Sequence, residues 1–293
     1  MTDLRIGIIG TPGKWSTEAL ADAVEERTGF RTVIDMAKVS LDTETLQLMY
    51  AGEDLCTYDA LIVKKINETY SPDVLDRLEL LRIAEARGVR VFSNPEAIIR
   101  LIDRLACTVS LRAADAPMPP TVITEDHAAA RDAVKRFGSA VFKPLYSTKA
   151  RGMEIIEDGT DAEAAIAAFA KENPMMYIQQ KLDLSGQDLG MVFLDGDYVC
   201  TYARVSGSDT WNTTIHSGGK YAPFEPDAAL IKLARKAQEP FGLTFTTVDV
   251  ALTETGPIVF EVSAFGGFRG AKEGCGVDAA AMVADAVIKK VST

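Results

Sequence analysis

One stretch of the chain decides the fold prediction, and it reads Thr246-Thr247-Val248-Asp249-Val250-Ala251-Leu252, Thr253-Glu254-Thr255-Gly256, then Pro257-Ile258-Val259-Phe260-Glu261-Val262-Ser263. Its outer runs alternate with period two, as half-buried strands do, and the Gly-containing segment between them predicts a turn. With a loop over 254–256, Asp249 lies directly opposite Glu261, and Ser263 lies on the same face. The other face is expected to be wholly apolar, made of Val248, Val250, Leu252, Ile258, Phe260 and Val262.

The facing carboxylates of this hairpin need a physical explanation. Two carboxylates placed opposite each other repel, at a cost of roughly 0.2–1 kcal/mol. A hard divalent cation would reverse the sign of that interaction, and oxygen-only ligands suit Mg²⁺. A solvated acidic sheet face explains the same pattern. The hairpin alone therefore leaves the metal site and the solvated face equally open.

Composition narrows the class of protein. The chain has 293 residues with 47% apolar side chains, enough for two domains or one large one. Its formal net charge of −11 argues against nucleic acid as a partner. Four cysteines without a CxxC pair favour free thiols in a reducing cytosol, and two histidines exclude a multi-histidine metal site. Because neither a signal peptide nor a membrane-length apolar run is apparent, we expect a cytoplasmic protein with no membrane partner.

The first part of the chain alternates strands and helices, which predicts a small parallel sheet of α/β type over residues 1–93. A helix is expected to start at Asn94-Pro95 and to run towards Ala114. Later segments, with an Asp195-Gly196 hairpin turn, indicate antiparallel strands with helices set apart, an α+β pattern. We expect a central domain over 94–182 and a carboxy-terminal domain over 183–293, with a polar loop at 206–219 and a Gly-rich loop at 265–270.

Several further motifs are weak when taken singly. Lys143 ends an apolar strand before a small-residue loop at 147–152, a pattern that suits a phosphate and equally suits a surface turn. The strand 177–182 enters a linker that offers backbone amides to an adenine edge, but it also reads as a core strand. In sequence order, these motifs precede Gln187-Asp188, a polar segment around His216 and the acidic hairpin.

This ordered set resembles the ATP-grasp superfamily, and most of all the RimK-like carboxylate–amine ligases, over about residues 90–290. The most specific parts are Thr214-Ile215-His216-Ser217-Gly218-Gly219-Lys220, Thr247-Val248-Asp249-Val250, Phe260-Glu261-Val262-Ser263 and Gly276-Val277-Asp278. The resemblance implies an ATP-grasp fold behind an amino-terminal Rossmann-like domain, the pre-ATP-grasp domain.

The resemblance also implies roles for nucleotide-binding residues. Lys143 matches a phosphate-contacting lysine, and Arg104 stands where a second nucleotide lysine is usual. Asp188 matches a nucleotide-contacting aspartate. Gln180 replaces an acidic linker residue, and Lys181 and Leu182 match the backbone contacts to adenine. Asn212 and Thr214, counted with the nucleotide site, stand where the family typically has Arg and Asn.

The metal ligands implied by the resemblance are Asp249, Glu261 and Ser263, the last replacing an asparagine and binding through water. Because Asn212 replaces the family's arginine, the acyl-phosphate needs another cation, and Gly190 also replaces a common arginine. Arg204, on a strand pointing toward the site, and Arg269, in the Gly-rich loop, are the candidates, and we expect them to act in catalysis with Lys143.

The implied activity is ATP-dependent amide formation between small-molecule carboxylate and amine substrates through an acyl-phosphate, with ATP and Mg²⁺, or Mn²⁺ in its place, as cofactors. Glutamate addition to a small cofactor or metabolite, such as a one-carbon carrier of the methanopterin or methanofuran type, is the expected reaction. The family also implies a homo-oligomer, a dimer or tetramer. Two alternatives remain: a nucleotide-binding regulatory or scaffold protein whose catalysis has lapsed, and a kinase-like transfer that stops at a phosphorylated product.

Overall fold

The computed structural model describes residues 3–148, 150–184, 186–205 and 219–293. Its first elements are β1 (Ile6–Ile9), α1 (Trp15–Thr28), β2 (Val33–Ile34), β3 (Ser40–Asp42), β4 (Gln47–Tyr50), β5 (Glu53–Asp54), β6 (Ala60–Val63), α2 (Asp73–Ala86) and β7 (Arg90–Phe92). Strands in the order β2-β1-β6-β7 form a parallel sheet, which confirms the predicted α/β start. Strands β3, β4 and β5 form a small antiparallel sheet that the sequence did not predict, because each is too short to show a clear alternation.

The middle of the chain carries α3 (Pro95–Ile102), α4 (Arg104–Ala113), β8 (Thr121–Thr124), α5 (His127–Phe137), β9 (Ser139–Lys143), β10 (Glu154–Glu157), α6 (Ala162–Glu172) and β11 (Met176–Gln180). The four strands form an antiparallel sheet in the order β10-β9-β11-β8. Helices α5 and α6 pack on this sheet, and Phe142 meets Phe169 edge to face at 5.3 Å between ring centroids.

The expected single helix from residue 94 to 114 is wrong, because Asp103 interrupts it. Asp103 takes an extended conformation, with φ −79° and ψ 112°, and its carboxylate accepts a hydrogen bond from the Leu105 amide at 2.9 Å. An aspartate in this conformation is a favourable helix N-cap. The chain therefore restarts as α4, and Arg104 becomes its first residue.

The last elements are β12 (Gln187–Leu194), β13 (Asp197–Val205), β14 (Lys220–Pro223), α7 (Ala228–Gln238), β15 (Phe245–Thr253), β16 (Gly256–Ser263), α8 (Phe268–Cys275) and α9 (Ala279–Val291). The strands form an antiparallel sheet in the order β14-β13-β12-β15-β16. The expected Gly-rich loop over 265–270 is shorter than predicted, since α8 already begins at Phe268.

The hairpin β15–β16 has the predicted register at its acidic end and a different register at its turn. Asp249 pairs with Glu261, but the turn pairs Thr253 with Gly256, one residue shorter than expected. A β-bulge beside Val250 absorbs the difference and leaves Phe260 as the extra residue. The bulge turns Phe260 towards the site and puts the fully buried Val259 in the core, so the prediction for Phe260 is wrong.

The prediction that the other face of the hairpin is wholly buried in the core is also wrong for Leu252, which is 39% exposed near the turn. Elsewhere this face packs into a core that joins the amino-terminal and carboxy-terminal sheets, with Val248 and Val250 in the same cluster as Ile9. The predicted division at 93/94 and 182/183 separates the three larger sheets, and it remains a prediction. Within the described part of the chain, no helix combines the length and apolar character needed to cross a bilayer.

Candidate active site

A cavity of about 460 Å³ lies where the three larger sheets meet. Its walls come from all three parts of the chain: Lys65 and Tyr70 from the first, Lys143 from the second, and Asp249 and Glu261 from the third. Among the described residues that line it, five are lysine or arginine and three are aspartate or glutamate. The cavity is therefore locally basic in a protein of net charge −11, which suits an anionic ligand.

The linker after β11 forms one end of the cavity. Gln180, Lys181 and Leu182 all line it, as the resemblance implied for adenine contacts. The Lys181 amide already donates to the Ser139 carbonyl at 3.0 Å, so its carbonyl oxygen is the backbone group of Lys181 that remains for a base edge. An adenine amino group is a donor that suits such a carbonyl.

Lys143 lies at the end of β9, as predicted, and its ammonium is buried in the cavity wall. Its Nζ donates to Oε1 of Gln179 at 2.6 Å and lies 5.3 Å from the centre of the Phe260 ring. Burial, with a smaller contribution from Arg104 and a partial offset from Glu261, lowers the pKa of Lys143 to about 7. A phosphate group that enters the cavity would restore the charged form.

Arg104 holds the loop after β9 against the acidic hairpin. Its guanidinium donates to the Pro144 carbonyl, the Ser147 hydroxyl and Oε2 of Glu261, each at 3.2 Å. Because the helix breaks at Asp103, Arg104 is the first residue of α4, and from that position its side chain extends to these three acceptors. The planar fork spans three acceptors, which a lysine at the same position would bind less rigidly.

Arg204 lies on β13 and points into the cavity, as expected, but two carboxylates share its guanidinium. It forms an ion pair with Asp188 and a second with Asp249 at 3.0 Å. Burial alone would lower the pKa of Arg204, but the two carboxylates outweigh it and hold that pKa well above the usual value. Burial raises the pKa of Asp249 above its usual value; Arg204 opposes the rise, and Glu261 and Asp188 add to it.

The donor set at the hairpin fits a magnesium ion that takes its remaining ligands from phosphate and water. Asp249 and Glu261 bring hard carboxylate oxygens together across β15 and β16. No group of three or more acidic, histidine or cysteine side chains suited to a metal converges in the described residues. The protein would therefore supply two carboxylates, a number typical of magnesium bound with nucleotide phosphates.

The expected third ligand, Ser263, is already engaged. Its Oγ accepts hydrogen bonds from the Phe265 amide at 3.3 Å and the Gly266 amide at 3.2 Å. A hydroxyl has two acceptor lone pairs, so both are used in this turn and only its proton remains to donate. Direct ligation through Ser263 would need this turn to open, and contact through a bound water fits the geometry better.

The structure places Arg269 away from the cavity lining. It lies in the first turn of α8, where its guanidinium is 5.5 Å from the Trp15 ring centre and pairs with Glu273 at 3.6 Å. The predicted loop position is wrong because the helix begins at Phe268. Asn212 and Thr214 lie outside the described residues, as does His216.

The arginine that the resemblance expects at position 190 has no space in this chain. A Cβ added at Gly190 would overlap the ring of Tyr202, and the same ring fills the space above Gly270. Tyr202 is buried and lines the cavity beside Arg204. The ring of Tyr202 on β13 thus occupies the volume that a side chain at Gly190 on β12 would need.

Sequence reasoning missed several cavity residues, among them Lys65, Tyr70 and Thr247. Lys65 and Tyr70 lie nearly two hundred positions before the hairpin, and no local signal connected them to it. Thr247 was detectable, since period-two alternation places it on the face of Asp249. Its Oγ1 is buried and has no hydrogen-bond partner in the described parts of the chain.

Comparisons with known proteins identify the family of this chain. The RimK-like ATP-grasp domain family matches residues 102–287. The tetrahydromethanopterin:alpha-L-glutamate ligase of Methanosarcina acetivorans is 29% identical over 264 residues, which cover 84% of this chain and 82% of that protein. A protein of Aliivibrio fischeri described as a "Probable alpha-L-glutamate ligase" is 26% identical over 299 residues, covering 99% of this chain and 97% of that one.

Solved structures share the fold. The ATP-grasp ligase PsnB, solved with a phosphomimetic variant of its minimal precursor, Mg and ADP, superposes with a TM-score of 0.77 at 20% identity. That match covers 99% of this chain and 100% of PsnB. Because the family match spans more than half of the sequence, the chain belongs to the RimK-like ATP-grasp family, as an ATP-dependent carboxylate–amine ligase.

Proposed function

We propose that this ligase joins the amino group of L-glutamate to a carboxylate on a small cofactor of the methanopterin type, with Mg²⁺·ATP as the energy source. The observation that carries the proposal is the pairing of Asp249 with Glu261 in the same cavity as Lys143 and Arg104. The names of the two relatives support glutamate as the amine, and the name of the Methanosarcina acetivorans protein supports the cofactor class.

Different residues would bind different parts of the nucleotide. The Lys181 carbonyl and the Leu182 backbone would hold the adenine edge, with Gln180 beside them. Lys143 and Arg104 would contact the phosphates, because they are the cations next to Glu261. Asp249 and Glu261 would hold magnesium, or manganese in its place, which neutralises charge on the phosphate oxygens when bound.

The reaction follows from these positions. A carboxylate oxygen attacks the terminal phosphorus of ATP, the bond to the bridging oxygen breaks, and ADP leaves with its electron pair. The amine then attacks the acyl carbon, the amide forms, and phosphate departs as the nitrogen loses a proton. No side chain has to form a covalent intermediate, and the chain's role is to orient the substrates, exclude water and stabilise developing charge.

Arg204 would act mainly by positioning Asp188 and Asp249. Its guanidinium lies between these two carboxylates and fixes both beside the hairpin. Removing it would leave two buried carboxylates to repel each other. Arg269 points at Trp15, and its catalytic role remains a prediction.

The proposal also covers the localisation, the oligomeric state and the partners of the enzyme. We expect a cytoplasmic homo-oligomer, a dimer or tetramer, that acts on small molecules and has neither nucleic acid nor a membrane as a partner. The net charge of −11 supports the exclusion of nucleic acid. Retention of both paired carboxylates favours an active enzyme over a lapsed one.

The test is ADP release across a panel of carboxylates that includes tetrahydromethanopterin, each with Mg²⁺, ATP and L-glutamate. The expected result is release that needs both substrates, with a product that gains one glutamyl residue by mass spectrometry. A product that gains phosphate alone would contradict amide formation, and ADP release that ignores glutamate would remove glutamate as the amine.

A further inference from the structure

The proposed function needs a cation at the reacting carboxylate, and neither arginine expected for it is well placed. Arg204 is shared by Asp188 and Asp249. Arg269 is about half exposed and rests against Trp15. Lys143 and Arg104 serve the phosphates in the proposed arrangement. The carboxylate substrate therefore needs a cation from another part of the chain.

Lys65 is a cation that lies at the wall of the same cavity. It lies just after the carboxyl end of β6, a strand of the amino-terminal sheet, and lines the cavity from there. Its amide donates to the Ile9 carbonyl at 3.1 Å, and so does the Lys64 amide at 2.9 Å, which fixes the backbone to β1. The carboxyl ends of parallel strands are a common place for ligands to bind.

Aromatic rings shape the environment of the Lys65 ammonium. Its Nζ lies 5.0 Å from the ring centre of Tyr70 and 5.4 Å from that of Phe265. The two rings meet edge to face at 6.3 Å. These rings remove water from the flanks of the ammonium, and in such surroundings an anion is attracted more strongly than in bulk water.

The neighbouring segment is held by Lys64. The Nζ of Lys64 donates to the Phe265 carbonyl at 2.7 Å and lies 4.1 Å from the ring centre of Phe268. The amino-terminal sheet thus fixes the turn that follows Ser263, and with it the ring of Phe265. Lys64 is a positioning residue, whereas Lys65 faces the cavity.

Two hydroxyls border the same turn. The Ser263 hydroxyl accepts from two backbone amides, so its one proton remains to donate, and in this arrangement it serves the substrate instead of a metal-bound water. Thr247 pairs with Ser263 across the hairpin, and its buried Oγ1 lacks a partner in the described residues. Both oxygens lie 3.5 Å from the point where a Cβ on Gly266 would stand, so both hydroxyls lie beside Gly266, which lines the cavity.

We propose that the Lys65 ammonium, with the hydroxyls of Thr247 and Ser263, forms the subsite for the substrate carboxylate that is phosphorylated. The inference rests on the proposed function and adds a residue set to it. The ammonium neutralises the carboxylate and then the acyl-phosphate, and the hydroxyls donate to its oxygens. A buried hydroxyl without a partner is costly, and a substrate oxygen would satisfy it.

Three variants test the subsite: Lys65→Met, Lys65→Arg and the matched control Lys14→Met. Lys14 is an exposed lysine of the same sheet region, paired with Glu68 at 2.7 Å. We expect Lys65→Met to raise KM for the carboxylate substrate about 10- to 100-fold, and to leave the Kd of an ATP analogue within about threefold. Lys65→Arg should recover part of the loss, because charge is kept.

A binding arm separates this inference from the proposed function. Succinate, a carboxylate without an amine, is titrated by calorimetry into each protein preloaded with Mg²⁺ and ADP. Succinate binding that is weakened in Lys65→Met, less so in Lys65→Arg, and unchanged in Lys14→Met supports the subsite, even if no member of the substrate panel yields ADP. An unchanged KM in Lys65→Met, or equal succinate binding in all the proteins, overturns the subsite while glutamate-dependent turnover would still uphold the ligase. Absence of succinate binding in the unmodified protein also counts against the subsite.

Discussion

The guanidinium of Arg104 donates to the carboxylate of Glu261 across 157 positions of sequence, with 3.2 Å between Nη1 and Oε2. The same guanidinium holds Pro144 and Ser147 in the loop that follows Lys143. One side chain therefore connects the proposed phosphate site to the proposed metal site. A substitution at one of these sites should alter ligand binding at the other.

Arg104→Met should weaken the binding of an ATP analogue about 10- to 100-fold, because a charge and three hydrogen bonds are lost. Titration with a fluorescent ATP analogue measures the effect. Arg100→Met is the matched control, since Arg100 bonds to Ser110 outside the cavity lining. Equal nucleotide affinity in the two variants would contradict the assignment of Arg104.

Lys143 should make nucleotide affinity depend on pH. Burial and Arg104 lower its pKa to about 7, against the opposing effect of Glu261. Above pH 7, and without a bound phosphate, the Lys143 amine is therefore mostly neutral. Binding of phosphate requires the charged form and takes up a proton. Affinity should therefore fall as pH rises from 7 to about 9, by at most about tenfold per pH unit.

Lys143→Arg provides the comparison for this pH series, because arginine stays charged throughout the range. The ratio of the two affinities removes the titration of the nucleotide itself, which both proteins share. A ratio that does not change with pH would show that Lys143 keeps its proton and does not titrate in this range.

Gly190→Ala should destabilise the protein, because the added Cβ overlaps the ring of Tyr202. Overpacking of this kind costs about 1–3 kcal/mol, and urea unfolding measures it. Gly159→Ala is the control, since nothing lies within 4 Å of its added Cβ. In a Tyr202→Leu background the cost of Gly190→Ala should shrink, and equal costs in both backgrounds would disprove the contact.

Lys64 should contribute to the pH dependence of stability. Burial, with a smaller contribution from the charge of Lys65, lowers its pKa to about 7. Below pH 7 both folded and unfolded states hold the proton, and the folded state bears the cost of burying the charge. Between pH 7 and the ordinary value of 10.5 the unfolded state binds more protons, so stability rises with pH.

Urea unfolding of the unmodified protein and of Lys64→Met at several pH values checks this. The unmodified protein should gain stability relative to the variant as pH rises above 7. Lys143 titrates in both proteins and cancels in the difference. A difference that stays constant with pH would mean that Lys64 remains charged while buried.

The sequence predicted the pairing at the acidic end of the hairpin better than the structure around it. Alternation in both strands placed Asp249 opposite Glu261, and the structure has this pairing. The turn was one residue shorter than expected, and only the bulge at Phe260 kept the register. A bulge has little local signature in sequence, so the switch of Phe260 to the cavity face was not predictable from period two alone.

Other misses have tertiary causes that local sequence does not reveal. Asp103 ends one helix and caps the next, a choice that competes with helix continuation and depends on where Arg104 finds its partners. Glycines around 265–270 suggested a loop, but tertiary packing of Phe268 against Phe245 supports a helix there. Lys65 reaches the site only through the packing of the amino-terminal sheet on the hairpin, which no short-range pattern contains.

The most direct test of the ligase site is ADP release by Glu261→Ala in the presence of Mg²⁺, ATP, L-glutamate and the carboxylate that the unmodified enzyme accepts. Because Glu261 is partly exposed and lies at the sheet edge, the variant should unfold in urea close to the unmodified protein. The expected result is ADP release at background. Turnover close to that of the unmodified enzyme would remove Glu261 from the metal site, and with it the proposed arrangement of nucleotide, metal and substrate.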